Sequence, residues 1–251
     1  MRAVILLVAT GLATTTAAGC SGTSSGGSAP STLTPASAVA SVATWGIDPT
    51  IYRDRVDNPW FPLPAGARWV YAGFEGGAHN RDVVTVLHRT TVIGGVRCVV
   101  VRDDVSRRGH VTEHTFDYYA QSRDGSVWYF GEDTGELTAA GKVKTNSGSW
   151  HAGTDGATPG IVMPAHPAVG QSYAQEGYTG RAEDHARVVS VTAVVRVPAA
   201  SSRQAVETTE WSPLEPKVRE HKYYVRGVGE VRSAAFRGPT ETDALTSYRL
   251  A

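Results

Sequence analysis

Apolar and polar residues alternate with a period of two over much of the chain beyond residue 65. The clearest run is 188–197, where Val189, Val191, Ala193, Val195 and Val197 fall on one face, opposite Ser190, Thr192 and Arg196. Successive strand residues point to opposite faces, so this alternation predicts half-buried antiparallel strands. Further runs at 66–76, 82–93, 95–105, 110–121 and 126–132 are rich in β-branched and aromatic residues. Gly94-Gly95 and Asp124-Gly125 separate consecutive runs and read as hairpin turns. Helical periodicity is scarce. The expected fold is therefore all-β: a strongly curved antiparallel sheet, barrel-like or two-sheeted.

The pattern recurs along the chain. Segment 169–180 matches 65–76, segment 185–210 matches 81–105, and EHKYYVRGVGEVRSA (220–234) matches EHTFDYYAQSRDGSVWYF (113–130). Two half-repeats, about 65–132 and 169–235, follow from this, as a divergent duplication would produce. Between them, 133–168 is rich in Gly, Thr, Ser and Pro and reads as a long loop packed across one opening. It holds a short hairpin at 136–145, with Trp150, Ile161, Val162 and Met163 as packing points. The lead-in 45–64 carries Trp45, Ile51, Trp60 and Phe61 as anchors. Residues 236–251 form a closing strand or a fraying end. Residues 45–251 make one β-domain.

The first residues read as an address. Arg2 precedes the apolar run AVILLVATGLA, and Ala17-Ala18-Gly19 precedes Cys20. That run is short for a permanent membrane helix, so 1–19 is expected to be a cleaved export signal. Small residues before a cysteine resemble a bacterial lipobox, which makes Cys20 the lipidated N-terminus and the bilayer a partner. One acyl chain binds a membrane weakly, so stable anchoring needs several. Residues 20–44 lack charge, are dominated by Ser, Thr, Gly, Pro and Ala, and read as a tether. Charge is balanced, with 24 basic and 24 acidic residues. No basic stripe appears, and nucleic acid is not an expected partner. With Cys20 acylated, Cys98 has no partner and reads as a buried, inert thiol, sharing a face with Val92, Val96 and Val100.

The densest aromatic cluster is 113–133. Periodicity puts Phe116, Tyr118 and Ala120 on a core face and Asp117, Tyr119 and Gln121 on the other. On the next strand Trp128 and Phe130 oppose Val127 and Tyr129. In the second half, Tyr223 and Val225 match the core face, and Lys222, Tyr224 and Arg226 match the other. The second face either lines a shared cavity or lies in solvent. Asp117, Glu132, Glu176 and Glu183 are the acids from which a hydrolytic carboxylate pair would be assembled. Asp117, Glu132 and Asp133 lack calcium-loop spacing, and the histidines, including His151, His166 and His185, show no ligand pair. No metal or cofactor is expected, and no GxSxG or phosphate-cradling loop is present.

NPWFPLPAGARWVY (58–71), YYAQSRDGSVWYFGEDT (118–134), GSWHAGTDGATPGIVMP (148–164), QEGYTGRAED (175–184) and EWSPLEPKVREHKYYVRGVGEV (210–231) resemble a family of uncharacterised, secreted, β-rich bacterial lipoproteins of actinobacterial type. The resemblance implies no activity. It marks Asp117, Gln121, Glu132, Asp133, Asp155, Glu176, Glu183 and Asp184 as polar motif positions. KYYVRGVGEV also looks like the closing strands of lipid-carrier lipoproteins, which curve a sheet around an apolar ligand. The candidate binding residues are then Asp117, Tyr119, Gln121, Trp128, Glu132, Asp133, Glu176, Glu183, Asp184 and Tyr224. The expected protein is an anchored extracytoplasmic carrier of a small apolar or amphipathic ligand. An envelope hydrolase and a structural envelope protein are the alternatives.

Overall fold

The computed structural model describes residues 46–250. The signal, Cys20, the tether and Trp45 lie outside them. A 3-10 turn (Pro49–Ile51) and β1 (Tyr52–Arg53) lead in. A meander follows: β2 (Arg68–Glu75), β3 (Ala78–Ile93), β4 (Val96–Arg107), β5 (His110–Ser122) and β6 (Val127–Leu137). Next come β7 (Val143–Thr145), β8 (Trp150–His151) and β9 (Thr158–Met163). The rest is β10 (Ser172–Ala174), β11 (Glu176–Gly177), β12 (His185–Val197), β13 (Ala200–Trp211), β14 (Arg219–Val225), β15 (Gly229–Arg237) and β16 (Glu241–Arg249).

The fold is all-β. Its antiparallel sheet runs β10-β12-β13-β14-β15-β16-β2-β3-β4-β5-β6-β9-β11 and is nearly closed into a barrel. The ends of that order meet along the chain, because Gln175 alone separates β10 from β11. Segment 172–177 is therefore the seam: its first half pairs with β12 and its second half with β9. At this crossing the backbones approach closely. A Cβ on Gly160 would sit 2.3 Å from the carbonyl of Gln175, so only glycine fits.

The segment 133–168 is largely loop and holds the hairpin expected at 136–145, but closure draws parts of it into the sheet. β6 runs on to Leu137, and β7, β8 and β9 all pair with it. Pro159 and Gly160, which read as loop residues, lie in a strand at the seam. The last residues form β16, which joins the two meanders by pairing with β15 and β2.

Alternation fails locally in β12. Ala186 and Val188 are buried, then Ala193, Val195 and Val197, whereas Val189 is exposed. Register shifts between Val188 and Ala193 move the inward face by one residue. Val92 is likewise exposed, although Val96, Cys98 and Val100 are buried.

The lead-in closes one end of the barrel. Val56, Phe61 and Leu63 are buried in the core, whereas Ile51 is exposed. Asn58 donates to the carbonyls of Gly125 and Pro164, and the Gly227 amide donates to the Pro59 carbonyl at 2.6 Å. These bonds fasten the segment to the β5–β6 and β14–β15 turns. Trp69, fully buried, donates its indole N–H to Val228 at 2.8 Å and braces β2 against the β14–β15 connection.

Candidate functional site

β5 and β14 occupy matching places in two successive meanders. Tyr119 lies opposite Val99 on β4 and Tyr129 on β6; Tyr224 lies opposite Val206 on β13 and Glu230 on β15. A one-residue register shift occurs beside each tyrosine, between Asp117 and Tyr119 and between Tyr223 and Tyr224. The face that holds Asp117, Tyr119 and Gln121 is the barrel interior, and all three are buried. The face expected to be core, that of Phe116, Tyr118 and Ala120, is instead the outer one, and it reads as core because it too is covered. Tyr118 is covered by His151, and Tyr52 packs edge-on against Trp128 and Phe130.

Tyr119 and Tyr224 line one cavity of about 30 Å³ behind the Phe61 plug. Tyr129 and Val162 complete its apolar wall; Gln175, Glu176, Asp184, Lys222 and Glu230 supply polar groups. The Phe61 and Tyr119 rings are 5.4 Å apart, and Tyr119 stacks on Tyr129 at 5.0 Å. A space this small holds a water or a compact chemical group.

Electrostatics distinguish this interior from an apolar carrier pocket. Lys222 lies 3.0 Å from Glu210 and 3.5 Å from Glu220, all largely shielded from solvent. Glu210 also accepts from Tyr224 at 3.2 Å and Thr208 at 2.9 Å. Burial acts to lower the Lys222 pKa, but Glu210, Glu220 and Glu230 outweigh it and hold the ammonium charged well beyond the ordinary lysine range. Burial also pushes Glu220 up to about 8 despite Lys222. Burial, then the Asp184 carboxylate, raises Glu176 well above the usual range.

Asp117 and Glu132 face each other across β5 and β6. Asp117 Oδ1 accepts from Tyr129 at 2.8 Å. Burial, reinforced by Asp103, pushes Asp117 up to about 7. Burial and the Asp117 charge raise Glu132 well above its ordinary value.

The structure brings Tyr119, Glu176, Asp184 and Tyr224 to one cavity, with Asp117 and Glu132 beside Tyr129. The other candidates lie elsewhere. Gln121 is a clamp: its side-chain oxygen accepts from the Asp57 and Asn58 amides at 2.7 and 3.0 Å, and its amide donates to Asp57. Trp128 packs on the outer face and donates to Ser122 at 3.1 Å. Glu183 is half-buried and accepts from the Gly180 amide at 2.8 Å, fixing a turn. Asp133 lies in an outer groove, accepting from Tyr118 at 2.5 Å and meeting His151 at 3.0 Å. Asp155 lines that same groove. Among the described residues, no group of His, Cys, Asp and Glu is arranged to hold a metal. Glu210, Glu220 and Glu230 are functional candidates that sequence reasoning missed. Their signal was available: Glu230 lies opposite Tyr224, Glu210 lies four residues from its partner Val206 on β13, and Glu220 lies four residues before Tyr224 on β14 itself, so alternation puts all three on its face.

No family model matches the chain, and no curated protein matches it. Two solved structures are similar. One, from Bacteroides fragilis, is described as an exported protein with a YmcC-like fold. It shares 15% identity and a TM-score of 0.46, over 76% of this chain and 99% of that one. The other, from Parabacteroides distasonis, is described as a lipoprotein. It shares 10% identity and a TM-score of 0.42, over 76% and 99% of the two chains. At these values the likeness carries no functional argument.

Proposed function

We propose that the protein is an exported, lipid-anchored binding protein whose ligand sits in the barrel between Tyr119 and Tyr224. In this reading residues 1–19 are removed, Cys20 carries the anchor, and 20–44 tether the barrel at the outer face of the membrane. The two meanders derive from one duplicated unit. The observation that carries the binding role is the convergence of both tyrosines with Glu176 and Asp184 on one cavity at the seam. Aromatic rings beside carboxyl groups suit an amphipathic ligand better than a purely apolar one. Native mass spectrometry of the protein taken from its host membrane tests this. A discrete added mass, lost on unfolding, supports it; the bare lipidated polypeptide alone contradicts it.

One observation favours a second reading, a carboxylate hydrolase of the cell envelope. Asp117 and Glu132 are a facing pair with raised pKa values, the arrangement that lets one carboxyl act as acid beside an ionised partner. Turnover of envelope glycans by the purified protein, abolished in Asp117→Asn, would establish it. Absence of turnover in the wild type would dismiss it.

A further inference from the structure

The cavity has a chemical bias that the proposed binding role leaves open. Its apolar wall is mostly ring surface: Phe61, Tyr119, Tyr129 and Tyr224. Ring faces carry partial negative charge and attract cations within about 6 Å, most strongly where water is excluded. Its polar wall holds Glu176, Asp184 and Glu230 against one ammonium, that of Lys222, among the described residues. That ammonium is already engaged by Glu210 and Glu220. Beside the cavity stands a further carboxyl group, that of Asp117. Its Oδ1 takes the Tyr129 hydroxyl, while Oδ2 is buried and without a hydrogen-bond partner. Asp117 lies behind Tyr129 and does not itself line the cavity, so it favours a cation there through the field of its charge and not by contact.

We infer that the ligand of this cavity carries a compact organic cation, an amine or quaternary ammonium group, held by the Tyr119, Tyr129 and Tyr224 rings with the Glu176 and Glu230 carboxylates around it. This rests on the binding role proposed above. The volume fits an ammonium head and not an acyl chain, so any apolar part of the ligand lies outside the cavity. Charge follows the same sense. Asp184 at the seam and, more weakly, Asp117 on β5 add negative charge near Glu176, and Lys222 on β14 opposes them. A bound cation favours the ionised carboxylates, so binding releases protons and weakens as pH falls.

The test is calorimetric titration of the detergent-solubilised full-length lipoprotein with choline, putrescine, the neutral 1,4-butanediol and the anionic laurate, at pH 8 and pH 5. Choline keeps its charge throughout, so its pH dependence reports the protein alone. Choline or putrescine should bind at pH 8, lose about tenfold or more in affinity at pH 5, and release protons on binding. Glu176→Gln should weaken binding at least about tenfold, whereas Val194→Thr, on the exposed outer surface, should not. A thermal melt of each variant separates lost binding from lost folding, and a misfolded Glu176→Gln is replaced by Glu230→Gln. Binding of the diol or laurate without the amines overturns the cation inference and leaves the binding role standing. No binding by any probe, with no mass copurifying from the host, overturns both.

Discussion

Asp117 and Lys222 hold the same place in successive meanders and carry opposite charge. Each lies two residues before a buried tyrosine, on the inward face, beside a one-residue register shift. Asp117 faces Glu132, so acids meet acids in the first meander. Lys222 meets Glu210 and Glu220, so a cation is enclosed by acids in the second. Matching positions on β5 and β14 thus carry different charge, and several outcomes follow from that difference.

Removing Lys222 leaves Glu210 and Glu220 buried without their cation. Breaking one partner of a buried ion pair costs about 3–5 kcal/mol. Lys222→Met should therefore lower stability by about that much in urea unfolding. Adding Glu210→Gln should restore a large part, because the stranded charge is removed and the amide oxygen still accepts from Thr208 and Tyr224.

Stability should fall between about pH 4 and pH 7. Asp117 is raised from 3.8 to about 7 by burial. A raised folded-state pKa contributes stability that is full below the unfolded value and lost as pH rises through the folded one. Glu220, raised to about 8, extends the loss upward. Asp117→Asn keeps an acceptor for Tyr129 and removes one titration. It should stabilise the protein at pH 8 by on the order of 2 kcal/mol relative to wild type, with a smaller gain at pH 4. Thermal melts across this range check it, and an unchanged slope in the variant would be the contrary result.

Gly160→Ala should loosen the seam. The added methyl meets the Gln175 backbone, which has no flexible end to yield. Overpacking of this kind costs about 1–3 kcal/mol. Amide exchange should quicken at 172–177 and in β9, while β16 and β2, at the middle of the strand order and farthest from the seam, keep their protection.

Cys98 should be chemically silent in the folded state. It is fully buried, and burial pushes its thiol up to about 12. Its labelling by a disulfide reagent should track unfolding in urea. Rapid labelling under native conditions would show that the β3–β4 hairpin opens locally.

The strands were legible because their signals are local. Gly94-Gly95 and Asp124-Gly125 mark the hairpins, and a period of two puts Asp117, Tyr119 and Gln121 on one face and Tyr224 on its counterpart, but which face turns inward was not legible, because both faces of β5 carry aromatic residues. What the sequence hid depends on closure. Thr158–Met163 reads as loop because Pro159 and Gly160 are poor strand residues, yet the seam needs a glycine there. Val189 reads as buried because a bulge in β12 leaves no mark in composition. Glu210, Glu220 and Glu230 share a face with Tyr224, but alternation alone does not mark that face as interior, since a polar residue at every second position looks the same whether it meets water or an enclosed lumen. Gln121 and Trp128 sit within the conspicuous motif, but the lead-in takes the first and the outer face the second.

Fluorine NMR of the lipoprotein carrying 3-fluorotyrosine at Tyr119, Tyr224 or Tyr118 tests the binding role most directly. Each sample is isolated from the host membrane and compared before and after unfolding and refolding in clean buffer. The Tyr119 and Tyr224 resonances should both move when the host-derived ligand is removed, and the outer-face Tyr118 resonance should stay. Unchanged signals at Tyr119 and Tyr224, or a change confined to Tyr118, would contradict a ligand between the two tyrosines.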